Sequence, residues 1–320
     1  MATLRRPPVR GHGRVSGLVS GILAASLLLA SCDGEPDASP QTGGLLIVSG
    51  ELGAVELVVR DSHDPAGRVV ELPDPATSWV SAGRANVLMA TLIDGRTFVS
   101  DPVDDDADPG WRPVEAVGVD DRPVEGPLYF GTWDPAGGAF VLLGSDFGEG
   151  SGLRIVVVDP ALEGASEAAF PDTTAAAAAP TWVDDDRVAV VVATEDGPST
   201  LLVDTATGDA TPGPTDVALV ATSADALMTA LWRGDGPVEV LATEAWLTGD
   251  SATIRLDPPD GASRPGGFAL DATGSRLAIV WLDASDVPLA VAVHERARDW
   301  EPTARIGLDG AAVALVAWLR

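Results

Sequence analysis

Lysine is absent from this 320-residue chain: all 20 basic side chains are Arg, set against 48 Asp and Glu, for a formal charge of −28. Four of those Arg (Arg5, Arg6, Arg10, Arg14) precede residue 32, where there is no acid, so the remainder carries −32. A body this acidic repels phosphate, which argues against nucleic acid and anionic lipid headgroups as partners of the folded part. Cysteine occurs once, at Cys32, which excludes an intramolecular disulfide framework and a multi-Cys metal cluster. Past residue 32 there are two His, His63 and His294. No apolar run approaches the 18 residues of a membrane-spanning helix.

What is present divides the chain in three. Residues 1–17 are basic, and residues 18–30 form an apolar run of 13, too short to span a bilayer. A basic front, a short apolar stretch and small residues before a cleavage point describe a secretory signal peptide. Its end, Leu29-Ala30-Ser31-Cys32, resembles the lipobox of bacterial lipoproteins. That resemblance implies cleavage between Ser31 and Cys32 and a diacylglyceryl group on the Cys32 thiol. Residues 1–31 are thus expected to be an address. Residues 32–43 are a lipidated Cys and flexible tether, for Asp33 to Gly44 holds no aliphatic residue larger than Ala. The expected location is the extracytoplasmic face of the cell membrane, anchored by lipid.

From residue 44 onward the pattern is all-β. A phrase recurs in which an aromatic or apolar residue precedes an Asp/Gly-rich turn and then a β-branched run. Its clearest copies start at Trp133 (Trp-Asp-Pro-Ala-Gly-Gly), Trp182 (Trp-Val-Asp-Asp-Asp-Arg-Val) and Phe268, with weaker ones at Trp79 and Val220 and a last one ending at Trp318. Intervals of 54, 49, 38, 48 and 50 residues, each holding further apolar runs and turns, match the period of four-stranded propeller blades. The C-terminal run Ala312–Leu319 supplies one strand, and the runs after the tether (45–48, 55–59, 69–72) supply the other three. The expected fold is a six-bladed β-propeller over 44–320, closed by the C-terminal strand joining the N-terminal strands, an arrangement that removes free sheet edges. In this reading Trp79, Trp133 and Trp182 share one repeat slot in the inter-blade core, while Trp111, Trp232, Trp246, Trp281 and Trp300 lie outside it and are partly exposed. The phrase resembles the Trp-Ser-Pro-Asp-Gly repeat of TolB-like and WD-repeat-like six-bladed propellers, though no copy carries the full pentapeptide. The resemblance implies the fold; propellers host many unrelated activities.

No catalytic set emerges. There is no Gly-x-Ser-x-Gly, and His63 and His294 read as turn or surface residues. No metal site is assigned. The closest candidate, a calcium-like spacing over Asp104, Asp106 and Asp108, has Pro109 where such a loop needs a positive-φ Gly. No cofactor is expected. One distributed feature stands out: every turn between the second and third strands of a blade carries acid. These are Glu51; Asp94; Asp146 and Glu149; Glu195 and Asp196; Asp235; Asp283 and Asp286. A propeller places all such turns on one face, giving an anionic surface suited to a basic partner, although tight turns favour Asp regardless. The functional expectation is a monomeric, non-catalytic binding or scaffolding module for a protein or envelope partner. The alternatives are an envelope hydrolase or lyase in the channel, and a small-ligand or metal-binding protein.

Overall fold

The computed structural model describes residues 44–319, apart from 52, 61–66, 84–85, 104–107, 115–127, 135–139, 146–152, 159–164, 171–177, 195–196, 251–253 and 309. Twenty-four strands form six antiparallel four-stranded sheets. Blade 1 contains β1 (Leu45–Glu51), β2 (Ala54–Arg60) and β3 (Arg68–Val70). Blade 2 is β4 (Thr77–Ala82), β5 (Val87–Leu92), β6 (Thr97–Pro102) and β7 (Trp111–Pro113). Blade 3 is β8 (Leu128–Trp133), β9 (Phe140–Ser145), β10 (Leu153–Val158) and β11 (Ala165–Phe170). Blade 4 is β12 (Thr181–Trp182), β13 (Arg187–Thr194), β14 (Gly197–Asp204) and β15 (Ala210–Thr215). Blade 5 is β16 (Leu219–Thr222), β17 (Met228–Trp232), β18 (Val238–Ala242) and β19 (Ile254–Leu256). Blade 6 is β20 (Arg264–Leu270), β21 (Arg276–Leu282), β22 (Pro288–Glu295) and β23 (Pro302–Gly307).

The last strand, β24 (Val313–Trp318), completes blade 1, where it pairs antiparallel with β1 from Leu45↔Trp318 to Gly50↔Val313. The innermost strands β24, β4, β8, β12, β16 and β20 touch in cyclic order, and β20 returns to β24. The ring is closed, and the fold is a six-bladed β-propeller. Because each sheet is an up-and-down meander, the turns between second and third strands share one end of the ring with the inter-blade connections. We call this the upper face. The first-to-second and third-to-fourth turns occupy the lower face.

Strand composition explains the packing. In the second strands the β-branched or aliphatic run is buried on both sides: Val188 to Val192 and Leu277 to Leu282 are all within 8% of full burial. Each blade face therefore packs against a neighbour, and six apolar clusters sit between blades. Strand register defines the repeat slot as the last residue of each inner strand. Trp133 opposite Phe140, Trp182 opposite Val188, Leu270 opposite Leu277 and Trp318 opposite Leu45 are equivalent. In blades 2 and 5 the slot holds Ala82 and Thr222. Trp79 is therefore three residues upstream of the slot, correcting the expectation that it matches Trp133 and Trp182. Small residues in blade 2 leave room for its neighbour, since a Cβ on Gly83 would fall 2.6 Å from the Trp133 indole.

The other Trp residues also depart from expectation. Trp232, Trp246, Trp281 and Trp300 are buried, and only Trp111 is half-exposed. Trp246 reaches the core from a short helix, α1 (Thr243–Thr248), that joins β18 to β19 and has no counterpart in the sequence pattern. Six residues are too few to display a 3.6-residue period. Among the described residues, no helix is long and apolar enough to cross a membrane.

Candidate functional site

The inner strands enclose an axial channel with a cavity of about 130 Å³. Every blade contributes to its wall, and the side chains that do so are hydroxyl, aliphatic or aromatic, among them Ser81, Thr132, Thr181, Thr222, Trp79 and Phe268. Among the described residues that line it, none is ionisable. The Thr181 and Thr222 hydroxyls lie 2.7 Å apart and the Thr222 amide donates to Thr181 Oγ1 at 3.0 Å, while the Thr222 hydroxyl donates to the Trp182 carbonyl. These groups are occupied in holding blade 4 to blade 5. Trp79 Nε1 likewise donates across to the Gly131 carbonyl of blade 3 at 2.9 Å. Phe130 meets the Trp79 ring edge-on, with centroids 5.5 Å apart. It is the extra residue of a bulge between Tyr129 and Gly131, at φ 45°, a conformation uncommon for a bulky residue.

The upper face carries the acids nominated from sequence that fall within the described residues: Asp94, Asp235, Asp283 and Asp286 each sit in a turn between second and third strands, and Glu51 ends β1 at the edge of such a turn. Asp146, Glu149, Glu195, Asp196, His63, Asp104 to Asp106 and the segment with Ser31 and Cys32 lie outside the described residues. Turn chemistry accounts for part of the set. Asp94 accepts from the Arg96 amide at 3.1 Å and from Arg96 Nε at 2.8 Å. The amide bond first, and the guanidinium with it, hold that carboxyl below the usual range. Asp286 is lowered by the side-chain bond from Arg264 Nε, at 2.8 Å. Asp283 accepts from the Ser285 and Val287 amides at 2.7 and 3.0 Å, shaping its turn. Glu51 and Asp235 are exposed and make no ion pair among the described residues. The face is anionic, but two of its acids already face guanidinium groups.

The lower face and the seam between blades 6 and 1 hold the groups that sequence reasoning missed. Asp271, buried, accepts from Ser275 N and Oγ (both 2.7 Å) and from Arg276 Nε (3.1 Å). The Arg276 guanidinium lies 4.2 Å from the centroid of the Trp318 ring, whose Nε1 donates back to the Ala269 carbonyl at 3.0 Å. The pair therefore clamps the closing strand to blade 6. A partly desolvated cation over Trp contributes about 1–2 kcal/mol. The equivalent turn of blade 4 uses Asp184 and Arg187. Burial there pushes the Asp184 carboxyl up, but the Arg187 side chain and two amides pull it further down.

His294 is buried in β22, and not at the surface as its sequence context suggested. Its Nδ1 lies 2.8 Å from the Trp300 carbonyl, so the neutral tautomer with Nδ1–H donates there, and Nε2 has no partner among the described residues. Asp299 and Trp300 both have positive φ, at 52° and 62°, which turns the indole inward. Burial lowers the imidazole pKa, partly offset by the Trp300 carbonyl. A depressed histidine pKa means that the unfolded chain binds the proton first. Stability is then full above the unfolded value of about 6.5 and falls as pH drops below it. His294→Asn keeps a donor for Trp300 and removes the titration. The stability difference between pH 7.5 and 5.5, from urea melts, should be smaller in this variant than in the parent; equal slopes would contradict the assignment.

Among the described residues no three His, Cys, Asp or Glu side chains converge as metal ligands. Asp108 is exposed and accepts from the Glu71 amide, at 3.3 Å.

No protein-family model matches the chain, and no curated protein matches it. Solved structures do. A chain from the nidogen/laminin complex matches with a TM-score of 0.58 at 12% identity, covering 87% of this chain and 99% of that one. A TolB-type protein from Agrobacterium tumefaciens matches with a TM-score of 0.55, also at 12% identity and with the same coverage. What the chain shares with both is the fold.

Proposed function

We propose that this chain is a lipid-anchored, extracytoplasmic propeller whose upper face binds a protein of basic character. The observation that carries this reading is the opposition of two ends. The strand β1 starts at the lower face, so the described chain enters the propeller at Gly44 from below, whereas the acidic turns lie above. A tether over residues 32–43 reaches about 20 Å as a coil and at most about 40 Å extended. Attached to a diacylated Cys32, it would hold the lower face toward the bilayer and leave the upper face free for a partner. Two acyl chains are enough for firm anchoring, at about 0.8 kcal/mol per buried methylene. Glu51, Asp94, Asp235, Asp283 and Asp286, with Asp146, Glu149, Glu195 and Asp196 from the two remaining blades, would raise the on-rate of a cationic partner. That one of the similar structures was solved within a two-protein complex is in keeping with a binding role.

An envelope hydrolase or lyase in the channel would need two facing carboxylates there, about 5–9 Å apart. The lining supplies hydroxyls and aromatics instead, so the binding reading is preferred. The test places photo-crosslinking residues one at a time at Asp94 and Asp235 above, and at Asp185 and Asp225 below, in intact cells. The upper positions should trap the same protein and the lower ones should not. Cys32→Ser should abolish lipid labelling and release the chain from the membrane fraction. Trapping from the lower face alone, or membrane retention without Cys32, would overturn the reading.

A further inference from the structure

The chain holds six Asp-Gly steps, and the fold treats them unequally. Such a step closes on itself when the glycine amide nitrogen attacks the Asp carboxyl carbon and water leaves, which gives a five-membered succinimide. Glycine favours the closure because no side chain shields its nitrogen and its backbone is permissive. Three steps fall within the described residues, starting at Asp94, Asp235 and Asp260, all on the upper face; those starting at Asp33, Asp196 and Asp309 do not. At Asp94 both reacting groups are held. The Gly95 amide donates to the Leu92 carbonyl at 3.0 Å, and the carboxylate accepts from the Arg96 amide and from Arg96 Nε. Ring closure there would break all three bonds. At Asp260 the turn is locked from outside: the Ala262 amide donates to the Pro259 carbonyl at 2.9 Å, and Pro258 and Pro259 restrict the chain that enters it. At Asp235 neither restraint is present. Among the described residues, neither the Asp235 carboxylate nor the Gly236 amide has a hydrogen-bond partner. Gly234, Asp235 and Gly236 are exposed, the two glycines have φ of 99° and 71°, and a Cβ at Gly236 would meet nothing within 4 Å. Pro237 brings no amide to close the turn. A tip so short of internal bonds belongs to the least stable part of a fold.

We propose that Asp235 is a modification site, at which the folded chain converts aspartate to isoaspartate without an enzyme. The Gly236 nitrogen forms a bond to Asp235 Cγ, and one carboxyl oxygen leaves as water with the amide proton. Water then reopens the ring at either carbonyl. Attack at Cγ restores aspartate, and attack at the main-chain carbonyl leaves the chain running through Cβ and Cγ with a free α-carboxylate. One water is lost and one gained, so mass and charge are unchanged and no co-reactant is needed. The product has one more methylene in the main chain, in a turn whose Gly236 carbonyl accepts from Trp232 Nε1 at 3.2 Å. The reaction therefore moves an upper-face carboxylate and strains that contact, marking the age of the molecule on this face. The inference rests on the bonding of the three turns and does not depend on the protein-binding reading.

Ageing the full-length chain, folded in detergent and neutral buffer, tests this. Each Asp-Gly peptide is resolved by chromatography, and its isoaspartate is identified by resistance to endoproteinase Asp-N and by methyl transfer from an isoaspartyl methyltransferase. In the folded chain isoaspartate should accumulate at Asp235 at least fivefold faster than at Asp94 and at least twofold faster than at Asp260. In concentrated urea the three steps share one chemistry, and their rates should converge to within about twofold. Asp235→Asn reaches the same succinimide by losing ammonia and should react at least tenfold faster than the parent in the folded state. Asp94→Asn, held at the Gly95 amide, should stay at least fivefold slower than Asp235→Asn. Equal rates at the three sites in the folded chain, the same spread of rates in urea, or an unreactive Asp235→Asn variant would overturn the assignment. Partner trapping on the upper face is measured on freshly prepared chain, so failure of one assignment does not decide the other.

Discussion

Removal of β24, by ending the chain at residue 312, should abolish cooperative folding and not merely lower its melting temperature. The strand contributes the innermost edge of blade 1, in register with β1 over six residue pairs. It also places Ala314 and Trp318 in the cluster between blades 6 and 1 and touches the inner strands of both neighbours. Deleting a buried Trp costs about 3–5 kcal/mol. Each further aliphatic side chain of the strand adds about 1.5–3 kcal/mol where it is fully buried. The sum is of the order of 10 kcal/mol, comparable with the whole stability of an ordinary domain at about 5–15 kcal/mol. Two further losses follow. Arg276 loses the Trp318 ring that it covers, and β1 is left with an open inner edge, which invites pairing between molecules. Near-ultraviolet dichroism and a thermal scan would show this as loss of the sharp transition, with aggregation on concentration. A truncated chain that melts cooperatively within about 5 °C of the parent would mean that the closing strand holds nothing together.

Trp281→Ala is the substitution expected to cost most among single core changes. Its side chain is 0% exposed, in the cluster joining blades 5 and 6 with Val238, Val240, Leu256, Ile279 and Trp300. The site is enclosed by β-strands from two sheets and can collapse only by shifting a blade, so the cavity term should be near its upper limit. A loss of about 4–5 kcal/mol is expected, which lowers the melting temperature by about 8–20 °C at this chain length. Trp281→Phe should recover about half of it. A shift under about 3 °C for the Ala variant would imply that the two blades are less tightly joined than the packing indicates.

The closure and the number of blades were legible in the sequence because both depend on runs that cannot be hidden. Leu45 to Val48 opens the run of repeats and Val313 to Trp318 closes it, both apolar, and pairing the two leaves no inner edge. The alignment of the repeats was less legible. The turn joining first and second strands differs in length between blades, so counting back from each apolar run misplaced Trp79, and Ala82 and Thr222 hold the slot with no aromatic to mark it. Burial of Trp300 follows from two successive left-handed residues, and burial of Trp246 from a single helical turn; neither leaves a periodic trace. Of the upper-face acids, the local pair Asp94 and Arg96 is two residues apart and readable, but the pairing of Asp286 with Arg264 across the sheet is not.

The closure is tested most directly by a disulfide across it. Ile47 and Val316 are opposed in the β1–β24 register. They form a pair without mutual hydrogen bonds, since Leu319 donates to Gly44 three steps along the same ladder. Such pairs have Cα atoms about 4.5 Å apart, within the range that a disulfide accepts. In a chain carrying Ile47→Cys, Val316→Cys and Cys32→Ser, the two thiols should oxidise quantitatively in the native state and become resistant to reductant until the protein is unfolded. Their peptides should then be recovered linked by mass spectrometry. Two free thiols in the folded, oxidised sample would contradict the closed ring.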